Sequence, residues 1–296
     1  MSDTIIKATG LVKNFGKTKA LDGVDLAVNA GEVFGFIGPN GAGKSTTIRI
    51  LLGAIRANAG NAAIFGKDVW NDAVEIHKRI AYVPGDVNLW DNLTGGEIID
   101  LFIRLRRGGD KKYKEELIEK FDFDPTKKAG TYSKGNRQKV ALVSAFASDA
   151  DLYILDEPTS GLDPLMELVF QECVHKVKRE GKAVLLSSHI LSEVEKLCDR
   201  LTIIRNGKII DTGTLKELRH LSRNNVTVET KNAIEGIEKL EGVFDVANSG
   251  DEVSFKVDAE ATGSVMKRLA DADISHITVS PPTLEELFIS HYGVKQ

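Results

Sequence analysis

"GPNGAGKST", residues Gly38–Thr46, follows the β-rich run "EVFGFI" and leads into "KSTTIRILLG". A buried strand, a glycine-rich turn and a helix in that order open an α/β unit. The stretch matches G-x-x-x-x-G-K-[ST] in full, in the strand–loop–helix context that the pattern requires. Gly41 and Gly43 let backbone N–H groups turn towards phosphate oxygens with no Cβ in the way. Lys44 supplies a point charge for β- and γ-phosphates, and the Ser45 hydroxyl is a ligand for Mg²⁺. A purely structural glycine turn would need neither. Gly38, Asn40, Gly41, Ala42, Gly43, Lys44, Ser45 and Thr46 form the expected cradle of a nucleoside triphosphate.

Outward from this loop, "VDLAV", "NAAIFG" and "RIAYVPG" read as further strands. From about Asp86 the character changes to helical stretches, "GGEIIDLFIRLRR" and "KKYKEELIEKF", expected as an insertion between strands of the sheet. "ADLYILDEP" returns to a buried strand, "MELVFQECVHKVKREG" to a helix and "KAVLLSSH" to another strand. "LTIIRNGKIIDTG" carries Asn206-Gly207 between two β-rich runs, a hairpin signal. After about Leu218, "NVTVET", "VFDV", "EVSFKV" and "HITVS" alternate like half-buried strands, with helical runs near Ala233–Leu240 and Thr262–Ala272. Near the end, Thr283 and Glu286 have the spacing of a capping box.

Two strand tips carry further chemistry. "LYILDEP" ends in adjacent acids. Asp156 is placed to hold Mg²⁺ directly or through water, and Glu157 to face the γ-phosphate side where a water would attack. Beside a P-loop, a merely solvated turn is the weaker reading of this pair. His189 ends "LLSSH", on a strand expected to neighbour the one before Asp156. It could hydrogen-bond the γ-phosphate and so distinguish ATP from ADP.

A second anion-holding device lies a short way before "LDEPTSGLD", which begins at Leu155. In "YSKGNRQ", Tyr132–Gln138, a Ser and a Gly lead into a helical segment. With the P-loop, "LDEP", "SGLD" and the trailing His in this order, residues 4 to about 218 resemble the ATP-binding cassette family of ATPases. "YSKGN" occupies the place of that family's signature motif in variant form. Ser133 and Gly135 match it, whereas Lys134 stands where a glycine is usual and Asn136 where a Gln is common. The resemblance implies that Ser133, the Gly135 N–H and Asn136 bind the γ-phosphate of an ATP held by a different subunit. Two chains would then pack head to tail around two ATP molecules, with Asp163 of "SGLD" reaching across. Phe15 matches the aromatic that stacks on adenine. The family's usual Gln after "IAYVP" is here Gly85, followed by Asp86. Either Asp86 takes over a polar role or the link runs through backbone and water.

The expected fold is α/β: a P-loop NTPase core of the cassette type over 1–218, with a helical insertion at about 86–140. A small α+β accessory domain, dimer-stabilising or regulatory, is expected over 219–296. The reaction implied is ATP hydrolysis with Glu157 activating water, Lys44 and Mg²⁺ stabilising charge, and His189 sensing the γ-phosphate. Chain length, 296 residues, allows both domains. With 42% hydrophobic and 28% charged residues and a net charge of −4, no basic field invites nucleic acid. Cys173 and Cys198 suit a reducing compartment and read as packing residues. No charged n-region precedes an apolar run, and none of the apolar runs approaches about 18 residues. The resemblance therefore implies a nucleotide-binding subunit, cytoplasmic and peripheral on the inner membrane face. It would form a homodimer and drive a separately encoded integral-membrane permease, with "LTGGEIIDLFIRLRR" and "PPTLEELF" resembling the export-type branch. The alternative is a soluble ATPase of the same type acting mechanically on a cytosolic partner.

Overall fold

The computed structural model describes residues 3–106, 108–220, 223–230, 236–250, 252–258, 260–270, 272, 274–281 and 286. It divides into two compact units, Met1–Thr212 and Gly213–Gln296.

The first unit opens with β1 (Thr4–Phe15) and β2 (Thr18–Asn29), a long antiparallel pair. Alternation along the second half of β2 buries Val24, Leu26 and Val28 on one face, and Leu21 is buried beyond an irregularity at Gly23, which adopts φ 78°. β3 (Val33–Ile37) is buried at every position, as strands inside a parallel sheet are. α1 (Lys44–Leu51) starts directly on the glycine-rich loop, and β4 (Ala59–Ile64) and β5 (Lys67–Asp68) complete an antiparallel sheet of order β2-β1-β4-β5. α2 (Ala73–His77) and β6 (Ile80–Val83) follow.

Between β6 and β7 (Leu152–Asp156), the described residues form three α-helices: α3 (Gly95–Leu105), α4 (Lys111–Lys120) and α5 (Lys134–Phe146). Each begins where a side chain satisfies an orphan backbone N–H. Thr94 and Glu97 form a reciprocal capping box on α3, Asp110 accepts from Tyr113 N on α4, and Ser133 accepts from Asn136 N on α5. α6 (Pro164–Arg179), β8 (Ala183–Ser188), α7 (Leu191–Leu197), β9 (Arg200–Arg205) and β10 (Lys208–Thr214) continue the alternation.

The second sheet has the order β10-β9-β3-β8-β7-β6. Its strands from β9 to β6 pair in parallel, in a register that sets Ile37 beside Ser188 and Asp156 beside Ser187. The carboxyl ends of β3, β7 and β8 thus lie level, where open α/β sheets offer their ligand site. The β9–β10 turn has Asn206 at φ 48° and Gly207 at φ 74°, the left-handed pair that a type I′ hairpin demands. Both cysteines are buried and free.

In the second unit α8 (Leu215–His220) precedes β11 (Asn224–Thr230), β12 (Val243–Ser249), β13 (Glu252–Val257), α9 (Thr262–Leu269) and β14 (Ile274–Ser280). The four strands form an antiparallel sheet of order β12-β13-β11-β14. Its inward residues Val226, Val228, Val253, Phe255 and Val257 pack with Val265 and Leu269 of α9 into a core of their own. The helical run expected near Ala233–Leu240 is only a 3-10 turn over Ile237–Lys239, residues 233–235 lying outside the described set. Thr283 also lies outside it, while the Glu286 carboxylate accepts from Asn225 Nδ2 at 3.0 and 2.7 Å. No helix among the described residues is long and apolar enough to cross a membrane.

Candidate active site

The loop after β3 folds back over a buried lysine. Gly41 and Gly43 adopt φ values of 80° and 118°, and a side chain at Gly38 would run into the Ile204 carbonyl. Ala42 is buried, and its carbonyl accepts from Gly207 N at 2.8 Å. Lys44 donates from Nζ to the carbonyls of Gly38 (2.6 Å) and Pro39 (3.3 Å) and lies 3.7 Å from Glu157 Oε1. Burial pulls its ammonium below the ordinary lysine range, while the charges of Glu157 and Asp156 hold it up.

Asp156 closes β7 with its side chain buried, and Oδ1 has no hydrogen-bond partner. Burial pushes its carboxyl up, and the Ser187 and Ser45 hydroxyls beside it act the other way. A buried carboxylate oxygen with an open valence next to a hydroxyl is a hard oxygen donor set, which fits Mg²⁺. Ser45 and Asp156 are therefore able to hold the ion.

Glu157 sits at φ 49°, a left-handed conformation that costs a non-glycine residue strain and is retained where the surroundings enforce it. Its N–H donates to Ser187 O at 2.8 Å, which fixes the turn. The side chain aims at the site: Oε1 lies 3.3 Å from His189 Nδ1. Lys44, Ser45, Asp156, Glu157 and His189 are thus brought together from three strand ends.

Other residues singled out in the sequence stand apart from the loop. Phe15 is half-exposed at the end of β1, with the Lys13 ammonium 5.2 Å from its ring centre. Ser133 caps α5, carrying Gly135 and Asn136 in the first turn, and Asp163 caps α6 through Leu165 N and Met166 N at 3.1 Å. Among the described residues, no hydrogen bond or ion pair joins Ser133, Gly135, Asn136 or Asp163 to Gly38–Thr46. Gly85 abuts the acidic turn, where a Cβ would lie 3.2 Å from Asp156 O and 3.5 Å from Glu157 Cβ.

Two supporting residues escape the sequence reading. Glu193, buried on α7, accepts from Ser188 Oγ at 2.6 Å, and the same Oγ accepts from Ile190 N at 3.0 Å, which fixes the strand end that bears His189. Gln138, buried on α5, donates to Pro158 O at 2.8 Å. A lone Gln entering the apolar run "KVALVSAF" was the only local signal for the second.

The sequence matches the family described as ABC transporter over residues 21–160, and ATP-binding protein DrrA1-3-like, C-terminal domain, over residues 213–292. The bacitracin transport ATP-binding protein BcrA of Bacillus licheniformis is 30% identical over 305 residues, covering 98% of this chain and 98% of its own. The daunorubicin/doxorubicin resistance ATP-binding protein DrrA of Streptomyces peucetius is 32% identical over 304 residues, covering 97% of this chain and 92% of its own. Among solved structures, a dimeric post-hydrolysis state of the ATP-binding cassette MJ0796 bound to ADP and Pi shares the fold. Its TM-score is 0.64 at 23% identity, covering 71% of this chain and 99% of that one.

Proposed function

The chain belongs to the ABC transporter family, and we propose that it is the ATPase subunit that powers export through a separately encoded membrane permease. The observation that carries the reading is the convergence of Lys44, Asp156, Glu157 and His189 at the carboxyl end of the parallel sheet, with Glu157 Oε1 within reach of both Lys44 and His189.

ATP lies with its phosphates on the backbone N–H groups of Asn40–Thr46 and on Lys44, and with its adenine against Phe15. Ser45 and Asp156 would hold Mg²⁺, which would supply neutralisation of the phosphate charge. A water oxygen attacks the γ-phosphorus, its proton passes to the Glu157 carboxylate, and the bond to the ADP oxygen breaks. His189 holds Glu157 in place and reports the γ-phosphate. Ser133, Gly135, Asn136 and Asp163 make no hydrogen bond to their own chain's phosphate loop among the described residues. They serve the ATP of a second copy packed head to tail, so that ATP closes the dimer and hydrolysis releases it. The dimeric form of MJ0796 supports this arrangement.

An apolar groove of about 630 Å³ runs along α2, β6 and α3, lined by Leu52, Val74, His77, Tyr82, Phe102 and Leu105. We assign it to a cytoplasmic helix of the permease, with the chain on the inner face of the membrane. The names of the two relatives, bacitracin transport and daunorubicin/doxorubicin resistance, favour export of a drug-like or antibiotic cargo.

Glu157→Gln is the test of the composite site: it is expected to bind ATP without turnover and to run as a dimer in light scattering. A strictly monomeric variant at saturating ATP overturns the composite site. For the permease, a tagged pull-down from detergent-solubilised membranes should return a stoichiometric polytopic protein. Recovery of soluble partners alone would instead move the load to the cytosol.

A further inference from the structure

The turn that bears Ser133 carries a lysine whose side chain lies along the loop after β7. Lys134 Nζ donates to Ser160 Oγ at 2.8 Å, and its Cγ and Cδ lie 3.6 Å from where a Cβ on Gly161 would stand. From the next position Gly135 presses on the same loop, where a Cβ would come within 2.6 Å of the Gly161 carbonyl oxygen. One turn further along α5, Gln138 holds Pro158 O at 2.8 Å. Positions i, i+1 and i+4 of α5 therefore grip Pro158–Gly161 at three points.

The gripped loop is short and tied internally. It starts at the strained Glu157, Ser160 N donates to Glu157 O at 3.2 Å, Leu162 N donates to Thr159 O at 2.9 Å, and Asp163 then caps α6. It thus connects the carboxylate that works on this chain's own nucleotide to the aspartate offered to the partner.

We propose that Lys134 is a positioning residue. By holding Ser160 it locks the Ser133–Gly135 turn to the Glu157–Asp163 loop, so that the face offered to a partner's ATP is preset against the chain's own general base. The inference rests on the composite-site reading above. Without the Lys134 donor the close approach of Gly135 to Gly161 and the Gln138 bond to Pro158 O remain. An exposed lysine bond is worth little while water competes for both groups. Closure of two copies removes that water and strengthens it. The effect therefore belongs to the ATP dependence of the dimer and not to the stability of the single chain.

The experiment uses the full-length chain with Lys134→Met, which keeps the stem and deletes the donor, Ser160→Ala, which deletes the acceptor, and the double variant. Each single variant is expected to raise the ATP concentration for half-maximal hydrolysis about fivefold, with less than about a twofold fall in saturating turnover. The double variant should be no worse than either, since both remove one interaction. Thermal midpoints stay put, and Lys134→Arg restores the wild-type response. Wild-type behaviour of Ser160→Ala, or losses that add in the double variant, overturns the proposal. Glu157→Gln with ATP, run alongside, separates the two ideas. If it dimerises while the Lys134 and Ser160 variants stay wild-type, the clamp alone fails. If it remains monomeric, the composite site fails and the clamp with it.

Discussion

At Asp156 a carboxylate sits 6% exposed at the tip of an apolar strand, with Oδ1 lacking a hydrogen-bond partner. A buried acceptor left in this state costs folding free energy, and a charge costs more than a neutral group. The same open valence is what suits it to a divalent cation. Asp156→Asn removes the charge at nearly constant shape, so the nucleotide-free protein should gain about 1–3 kcal/mol against urea. The variant should at the same time lose ATP turnover and any stabilisation by Mg²⁺ beyond that from ATP alone. A variant that is destabilised without nucleotide would mean that the Ser45 and Ser187 hydroxyls and the Lys44 charge already satisfy the carboxylate. Of the residues gathered here, Lys44, Ser45, Asp156 and Glu157 were readable because a motif or a strand tip marks each one. Lys134 stood out only as a departure from the usual signature glycine, and Gln138 and Glu193 did not stand out at all. Their partners lie 26, 20 and 5 residues away, on other elements or strand ends, and local pattern does not encode such meetings.

The helix α3 begins on a reciprocal pair: Thr94 N donates to Glu97 Oε2 at 2.8 Å and Glu97 N to Thr94 Oγ1 at 3.2 Å. "LTGGE" needs this cap because two glycines open the helix and glycine resists helical order. Thr94→Ala should cost about 0.5–2 kcal/mol in denaturant titration. The two bonds from Thr94, backbone first and hydroxyl second, hold the Glu97 carboxyl below its ordinary value. A depressed carboxylate stabilises fully above its unfolded-state value and loses that contribution as pH falls through the lower folded value. The deficit of Thr94→Ala should therefore shrink in acid; a deficit independent of pH would show that the hydroxyl bond to Glu97 N carries all of it. Elements of this kind were legible when a cap or turn residue marked an end, as Asn206-Gly207 did for the β9–β10 hairpin. The seven-residue helix α7 was not, because its N-cap position, Ile190, offers no side-chain hydrogen bond.

On the scale of the whole molecule, each unit buries a core of its own. Leu11, Ile48, Leu152 and Leu185 belong to one, and Val226, Val228, Phe255 and Leu269 to the other. The sequence texture shifts near Leu218, where alternating strands replace the all-buried runs of the parallel sheet, whereas the two compact units divide between Thr212 and Gly213. The internal order of the second unit was harder to read, because short alternating strands specify a face but not a neighbour. Separate cores make separate unfolding steps the expectation, and the chain supplies its own probe. Its two tryptophans, Trp70 and Trp90, both lie in the first unit, so indole fluorescence follows that unit alone while circular dichroism sees both. ATP bound to the first unit stabilises it by mass action, about 2.7 kcal/mol at a hundredfold excess over Kd. ATP should therefore move the fluorescence transition to higher urea and leave a second, dichroism-only step in place. Phe255→Ala, which empties a buried ring position, should do the converse, weakening the dichroism-only step by about 3–5 kcal/mol without moving the fluorescence midpoint. If Phe255→Ala shifts the tryptophan transition as well, the two cores unfold as one cooperative unit. The C-terminal unit would then contribute directly to the stability of the ATPase.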